Sequence, residues 1–269
     1  MPPPPARRRC GLARRAARAR SDAQTHPRVL VLGGTGFVGA AITKALRAKG
    51  AHVTTLSRRG GDGQGDVKGD ATKAEAVRAV LEDGPKYDAV VHAVGMLLAS
   101  DLNAIASGSG STPDPDATYD GITRVTALNA LTLAQELCTR EDDGRVNFAF
   151  VSAAEAGWPA DAPFVPRWLQ DYLVAKRAVE AALASSSATV RSTVVRPSLV
   201  YTPDRPLSLP AVAAFTALNA VGAPGVDRPV TVDDVACTIA DRVLYGAGEP
   251  SEVMRYEAVE ERAARWRGR

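Results

Sequence analysis

The chain has 269 residues, 45% of them apolar and 23% charged, with a net charge of +3 and a pI of about 8.8. This length and apolar content suit one large folded domain and exclude a disordered chain. The positive charge is confined to residues 1–27, where Arg7, Arg8, Arg9, Arg14, Arg15, Arg18 and Arg20 face one acid, Asp22. Residues 28–269 are slightly acidic in balance, so a general nucleic-acid surface is excluded.

In chain order, residues 1–27 are Pro-rich, then Arg- and Ala-rich, with no apolar core. That composition reads as an organelle transit peptide rather than a secretory signal, and its scarcity of Ser favours the mitochondrion over the chloroplast. A disordered basic tail is the alternative. Residues 28–32 form an apolar run between Pro27 and a glycine cluster, the pattern of a buried parallel strand. Residues 37–49 carry apolar positions at helical spacing and stop at Gly50. A second strand is predicted over 52–56, a polar loop over 57–65, a helix over 71–82 and a buried strand over 88–93. The third strand is poor, with little beyond Val67. Residues 100–117, rich in Gly, Ser, Pro and Asp, read as a loop or insertion. A long helix over 119–139 follows, then a strand over 145–151, a helix over 168–185 and a strand over 189–195.

The alternation predicts an α/β fold, a Rossmann-type doubly wound parallel sheet over residues 28–269. A small C-terminal substrate lobe is expected from elements after residue 197. No window reaches the roughly 18 uninterrupted apolar residues of a membrane span. The nearest, 209–226, is interrupted by Pro210, Asn219, Gly222, Pro224 and Gly225; it suits peripheral membrane contact or an apolar pocket wall.

Cys138 and Cys237 lie far apart, with no Cys or His at ligand spacing, and read as ordinary thiols; no metal site is expected. His26, His52 and His92 are isolated, and His92 at a strand end reads as a structural histidine.

The segment Gly33-Gly34-Thr35-Gly36-Phe37-Val38-Gly39 leaves the first strand and opens the first helix. Glycine at 33 allows a tight turn, at 36 lets backbone approach a pyrophosphate, and at 39 lets helix pack against strand. The helix N-terminus then offers amide donors and partial positive charge to the phosphates. Strand before and helix after give the motif its context. The second strand ends in Ser57-Arg58-Arg59, without the acid that binds a ribose 2′-hydroxyl. Two arginines suit a 2′-phosphate, so NADP(H) is expected over NAD(H).

Tyr172 and Lys176 stand at i and i+4, on one helix face. A nearby ammonium and a cationic nicotinamide stabilise phenolate and lower the phenol's pKa towards the range of a proton-transfer group. Ser152, at the end of the preceding strand, is positioned to orient a substrate oxygen.

Together the glycine turn, the stretch Val91–Gly95, the Tyr-x-x-x-Lys pair, Val195-Arg196-Pro197 and Val232-Asp233-Asp234-Val235-Ala236 resemble the short-chain dehydrogenase/reductase superfamily, in its atypical and extended branches. The chain is similar to the group that includes a fungal mitochondrial coenzyme Q biosynthesis protein and plastid relatives in plants; the 39 kDa accessory subunit of respiratory complex I is a further relative. The resemblance implies that Gly33, Gly36 and Gly39, with Thr35, Phe37 and Val38 between them, meet the pyrophosphate. It places Arg58 at the adenosine ribose, Asp70 near adenine, Ala93 and Gly95 beside the cofactor, Tyr172 and Lys176 at the nicotinamide ribose, and Arg196 and Pro197 at the cofactor's edge. The chain departs from the pattern at Leu32, where many members have Thr, and at Ser198, which replaces a glycine. Thr123 or Asn129 stands in for the usual Asn, and Ala153 and Ala154 follow Ser152. Asp233 and Asp234 read as a helix N-cap and a neighbouring exposed charge.

Two functions follow. One is an NADP(H)-dependent oxidoreductase of the mitochondrial matrix acting on an apolar carbonyl or quinone-type substrate. The other is a non-catalytic NAD(P)H-binding subunit of a membrane-associated complex.

Overall fold

Seven parallel strands stand in the order β3-β2-β1-β4-β5-β6-β9, with helices on both faces. The computed structural model describes residues 26–95, 118–159, 165, 167–205, 208–223 and 225–269. The elements are β1 (Arg28–Leu32), α1 (Phe37–Ala48), β2 (His52–Ser57), β3 (Asp66–Lys68), α2 (Ala74–Glu82), β4 (Ala89–His92), a π-helical turn (Asp120–Val125) running into α3 (Thr126–Leu137), and β5 (Val146–Val151). A 3-10 turn (Ala154–Gly157), α4 (Arg167–Ser185), β6 (Val190–Val195), β7 (Val200–Tyr201), α5 (Leu209–Ala220), β8 (Val230–Thr231), α6 (Val232–Tyr245), β9 (Glu252–Met254) and α7 (Tyr256–Arg267) complete the chain.

The apolar runs read as strands because both sheet faces are covered. Val29 and Val31 pack with Ile42, Leu46, Val235 and Ile239 beneath α1 and α6; Leu30 and Leu32 pack with Val77, Phe148 and Val179 on the other face. The strand order reverses between β1 and β4, which opens a crevice at the carboxyl ends of these two strands.

Four differences from the sequence reading have local causes. The helix predicted from residue 71 begins at Ala74, because Asp70 first closes a turn, its carboxylate accepting from the Thr72 amide at 2.9 Å. The long helix predicted over 119–139 begins with a π turn; Thr123 within it and Thr126 just after it are fully buried, and the Thr126 hydroxyl donates back to the Ile122 carbonyl at 2.5 Å. The N-cap of α6 is Thr231, whose hydroxyl accepts from the Asp234 amide at 3.0 Å, while Asp233 and Asp234 occupy the first turn and favour the helix dipole. Much of the chain after residue 197 completes the main sheet rather than forming a lobe: β9 pairs with β6, and α6 and α7 pack on the sheet's face. β7 and β8 form a separate two-stranded sheet that packs on the main core through Val200 and Val230, with α5 between them in sequence. The insertion expected over 100–117 lies outside the described residues.

At the end of the sheet opposite the crevice, Arg191 and Arg242 are fully buried. Arg191 pairs with Glu141 at 2.5 Å; Arg242 pairs with Glu249; Arg262 reaches Asp241 at 3.0 Å and Glu249 at 2.8 Å. The network ties β6, α6 and α7 together. Removing one partner of a buried pair strands the other charge, so Glu141→Ala is expected to destabilise the fold by about 3 kcal/mol, read from urea unfolding.

Candidate functional site

The glycine turn closes tightly on itself. Gly33 has φ +79° and donates to the Leu56 carbonyl at 2.9 Å, and Gly36 donates to the Gly33 carbonyl at 2.9 Å. A Cβ at Gly39 would lie 2.1 Å from the Gly33 oxygen, and a Cβ at Gly33 would lie 3.0 Å from the Ala93 carbonyl group. No side chain fits at either place, and the Ala93 backbone abuts the turn. Gly36 takes the extended N-cap conformation of α1, so the amides of Phe37, Val38 and Gly39 have no carbonyl one turn behind them. They are donors for an anion, with Thr35 half-buried in the same turn. The Arg205 guanidinium lies 4.5 Å from the Phe37 ring centre and adds positive charge to the turn; sequence spacing offered no sign of it, because Arg205 arrives from the far side of the fold. A second, shallow cleft lined by Thr35, Lys44, Arg47 and Asp66 lies behind the turn, away from the crevice.

Arg58 and Arg59 follow β2 and are exposed, and Asp70 follows β3. Burial alone would raise the Asp70 carboxyl, but the Thr72 amide, with Lys73 and Arg58 nearby, holds it below the usual carboxylate range.

Across the crevice, α4 carries Tyr172 and Lys176. Lys176 is 3% exposed; its ammonium donates to the Val151 carbonyl at 2.7 Å and lies 4.9 Å from the Phe150 ring centre and 5.5 Å from that of Tyr172. A Cβ on Gly95 would come within 3.8 Å of Lys176 Nζ, so the β4 loop and α4 meet here. The edge of the Tyr172 ring meets Tyr119, centres 5.7 Å apart. Burial lowers Lys176 to about 7, against the opposing pull of Glu180. Burial also pushes the Tyr172 phenol well above its ordinary value of 10, helped by Glu155 and Tyr119. The expected lowering of Tyr172 by its lysine is therefore corrected: in the protein alone, desolvation outweighs the neighbouring charge.

Ser152 and Arg196 need correction too. Ser152 is buried, and its hydroxyl donates its only proton to Glu180 at 2.5 Å. Arg196 grips the same carboxylate, with Nε at 3.0 Å. The Ser152 proton is thus engaged within the fold, and both side chains help fix α4 against the ends of β5 and β6. Pro197 is likewise framework: its carbonyl accepts from the Ala154 amide at 2.8 Å. Glu180 was legible, since Tyr172, Lys176 and Glu180 stand at i, i+4 and i+8 on one helix face. Glu155 was not. It lies in the turn after β5, where burial raises its carboxyl and Asp227 adds to the shift.

His92 is fully buried, with Nε2 2.8 Å from the Thr126 hydroxyl and Nδ1 without a partner among the described residues. Burial, then the charge of Lys176, lowers it to about 3. Both shifts depress the folded-state value, so stability rises with pH through two windows: from about 3 to the unfolded 6.5 for His92, and from about 7 to the unfolded 10.5 for Lys176. Thermal midpoints measured across pH are expected to climb above pH 7 in the native chain and to flatten there in Lys176→Met.

Cys138 is buried, its thiol pushed up to about 12, and Cys237 is half-buried; both are free. Among the described residues no three His, Cys, Asp or Glu side chains are grouped to hold a metal, and no helix is long and apolar enough to cross a membrane.

Comparison with known proteins gives the fold and the family. A segment of the chain is 57% identical over 37 residues to the human epimerase family protein SDR39U1, a match spanning 14% of this chain and 13% of the human protein. The fold is shared with the ligand-free aldohexose dehydrogenase AldT of Thermoplasma acidophilum, at TM-score 0.64 and 15% identity over 86% of this chain and 92% of that one. It is also shared with the 3-alpha-hydroxysteroid dehydrogenase of Pseudomonas sp. B-0831, solved with NADH, at TM-score 0.59 and 21% identity over 85% and 94% of the two chains. At these identities the structural likeness speaks for the fold alone. The sequence profile of the NAD dependent epimerase/dehydratase family matches residues 29–226, the stretch that holds the glycine turn and the Tyr172–Lys176 pair, and the chain belongs to that family of nicotinamide-dinucleotide-binding proteins.

Proposed function

We propose that this chain is an NADP(H)-dependent oxidoreductase that reduces an apolar carbonyl or quinone-type substrate, in the mitochondrion and within coenzyme Q biosynthesis. The observation that carries the chemistry is the half-buried Tyr172 stacked near the buried Lys176 beside Gly95, across the crevice from the glycine turn. The turn fits a dinucleotide: its glycines leave no room for side chains and its first-turn amides face outward as anion donors. When bound, the nicotinamide supplies or accepts hydride.

The chain's own residues favour the reductive direction. Tyr172 keeps its proton at neutral pH because burial disfavours phenolate, so its hydroxyl is a donor to a developing alkoxide at the substrate carbonyl. Lys176 lies against the Tyr172 ring and near half-protonation at pH 7; its charged form stabilises the phenolate left after transfer. Phe150, Tyr119 and the apolar wall around Leu173 exclude water from the pair. The location and pathway rest on the composition of residues 1–27 and on the family resemblance. The test is the quinone-intermediate profile of a strain lacking the protein; an unaltered profile excludes that pathway.

NADP(H) preference rests on Arg58 and Arg59 at the end of β2, where no acid stands. The pair Arg58→Ala and Arg59→Ala is expected to weaken NADPH roughly 10- to 100-fold while leaving NADH unchanged, by fluorescence titration, since hydrogen bonds to charged groups contribute about 1.5–3 kcal/mol. Tighter binding of NADH by the native chain would sink the assignment.

A second reading, a nucleotide-binding subunit of a membrane-associated complex without turnover, draws on one observation. The hydroxyl of Ser152 is engaged by Glu180, and Ala153 and Ala154 follow it, so the crevice lacks the expected substrate-orienting serine.

A further inference from the structure

We propose that α5 seats in one leaflet of a lipid bilayer and holds the mouth of the crevice against the membrane. Every residue from 206 to 226 is uncharged. The helix places Val212, Phe215 and Asn219 towards the body, half-buried, while Leu209, Ala213, Ala214, Ala217, Leu218 and Val221 face outward. The helix is thus apolar on both faces, and its outward face lacks the charged residues of a water-facing helix. Val221 is 80% exposed and Leu218 46%.

Two polar side chains of α5 and its C-terminal end meet the demand that lipid makes of polar groups. The Thr216 hydroxyl folds back onto the Val212 carbonyl at 2.7 Å, and the Asn219 amide donates to the Val226 carbonyl at 2.9 Å. At the C-terminus, the amides of Val221, Gly222 and Ala223 take up the carbonyls of Ala217, Asn219 and Leu218, with Gly222 at φ +72°. Pro210 removes one donor at the N-terminus. These side chains and the helix end satisfy themselves internally, the condition that hydrocarbon imposes and water does not.

The dimensions agree. Twelve residues make a helix about 18 Å long, far short of a span; with one face on the body it lies along the interface, where an apolar face enters roughly 5–10 Å. The outward face, about 18 Å by 10 Å, is much smaller than the roughly 800 Å² per partner of a standard stable interface, so a second copy of the chain is a poor occupant. Both ends of the segment are anchored at the site: Arg205 lies over Phe37 of the glycine turn, and the Trp158 indole donates to the Gly225 carbonyl at 2.9 Å. A bilayer under α5 therefore adjoins the crevice, and lipophilic compounds reach it without crossing water. The seating itself is independent of the reduction chemistry and is read without activity.

The experiment is flotation of the full-length chain with phosphatidylcholine vesicles, with and without phosphatidylglycerol, alongside Ala213→Lys/Ala217→Lys and, separately, Leu218→Asn. All three positions are exposed, so circular dichroism and thermal midpoint are expected to be unchanged. The native chain should float with neutral vesicles, and the double lysine variant should lose partitioning on the order of 100-fold, the cost of lysine in hydrocarbon; Leu218→Asn should fall between. Failure of the native chain to float, capture by anionic vesicles alone, or equal flotation of the lysine variant would overturn the proposal. So would a dimer in lipid-free buffer that the same lysines dissociate.

Discussion

Tyr172→Phe is expected to lower kcat by about 10²- to 10⁴-fold while leaving NADPH affinity within a few-fold of the native chain. The substitution removes one hydroxyl and keeps the ring that packs against Tyr119 and Lys176, so stability should hold. The lost factor is that of a positioned proton donor, here one whose proton is retained at neutral pH by burial. The result separates the two functional readings. Lost turnover with retained nucleotide binding belongs to an oxidoreductase; full rescue of a deletion strain by the Phe chain leaves only the nucleotide-binding role.

Gly39→Ala should abolish dinucleotide binding and destabilise the fold by roughly 1–3 kcal/mol. Its Cβ would lie 2.1 Å from the Gly33 oxygen and 2.8 Å from the Gly33 carbonyl carbon, both backbone atoms at the end of β1. Backbone at that place cannot yield as a side-chain tip can, so α1 must move away from the turn. That movement takes the Phe37 and Val38 amides away from the anion position. Gly36→Ala is the comparison: its Cβ would lie 3.2 Å from the same oxygen, a distance that a small shift relieves. Thermal unfolding and NADPH titration of both variants, with the larger losses at 39, check the argument. Equal binding by Gly39→Ala would refute the close approach.

The cofactor half of the site was legible in the residues because its determinants are local. An apolar run, three glycines at fixed spacing and an amphipathic helix specify strand, turn and helix through backbone sterics over twelve residues. Tyr172, Lys176 and Glu180 were equally open to reading, since helical periodicity alone puts them on one face. The doubly wound sheet followed from the alternation of such units, because right-handed crossovers leave few other ways to bury both faces.

What lay beyond local reading depends on groups far apart in sequence. Ser152 looks like a substrate contact until Glu180, on the next helix, takes its hydroxyl proton while Arg196, just after β6, holds the same carboxylate. β9 has three residues and no pattern of its own; it is a strand because β6 offers an edge to pair with. The π turn at 120–125 arises where Thr126 meets His92 across the sheet. The direction of the Tyr172 shift is set by burial, and burial is a property of the packed molecule. The charge of the whole chain divides into a basic N-terminal segment and a slightly acidic remainder. The sequence specified which groups could do chemistry. The fold decided which of them face the crevice and which proton each holds, because desolvation and long-range contacts exist only once the chain is packed.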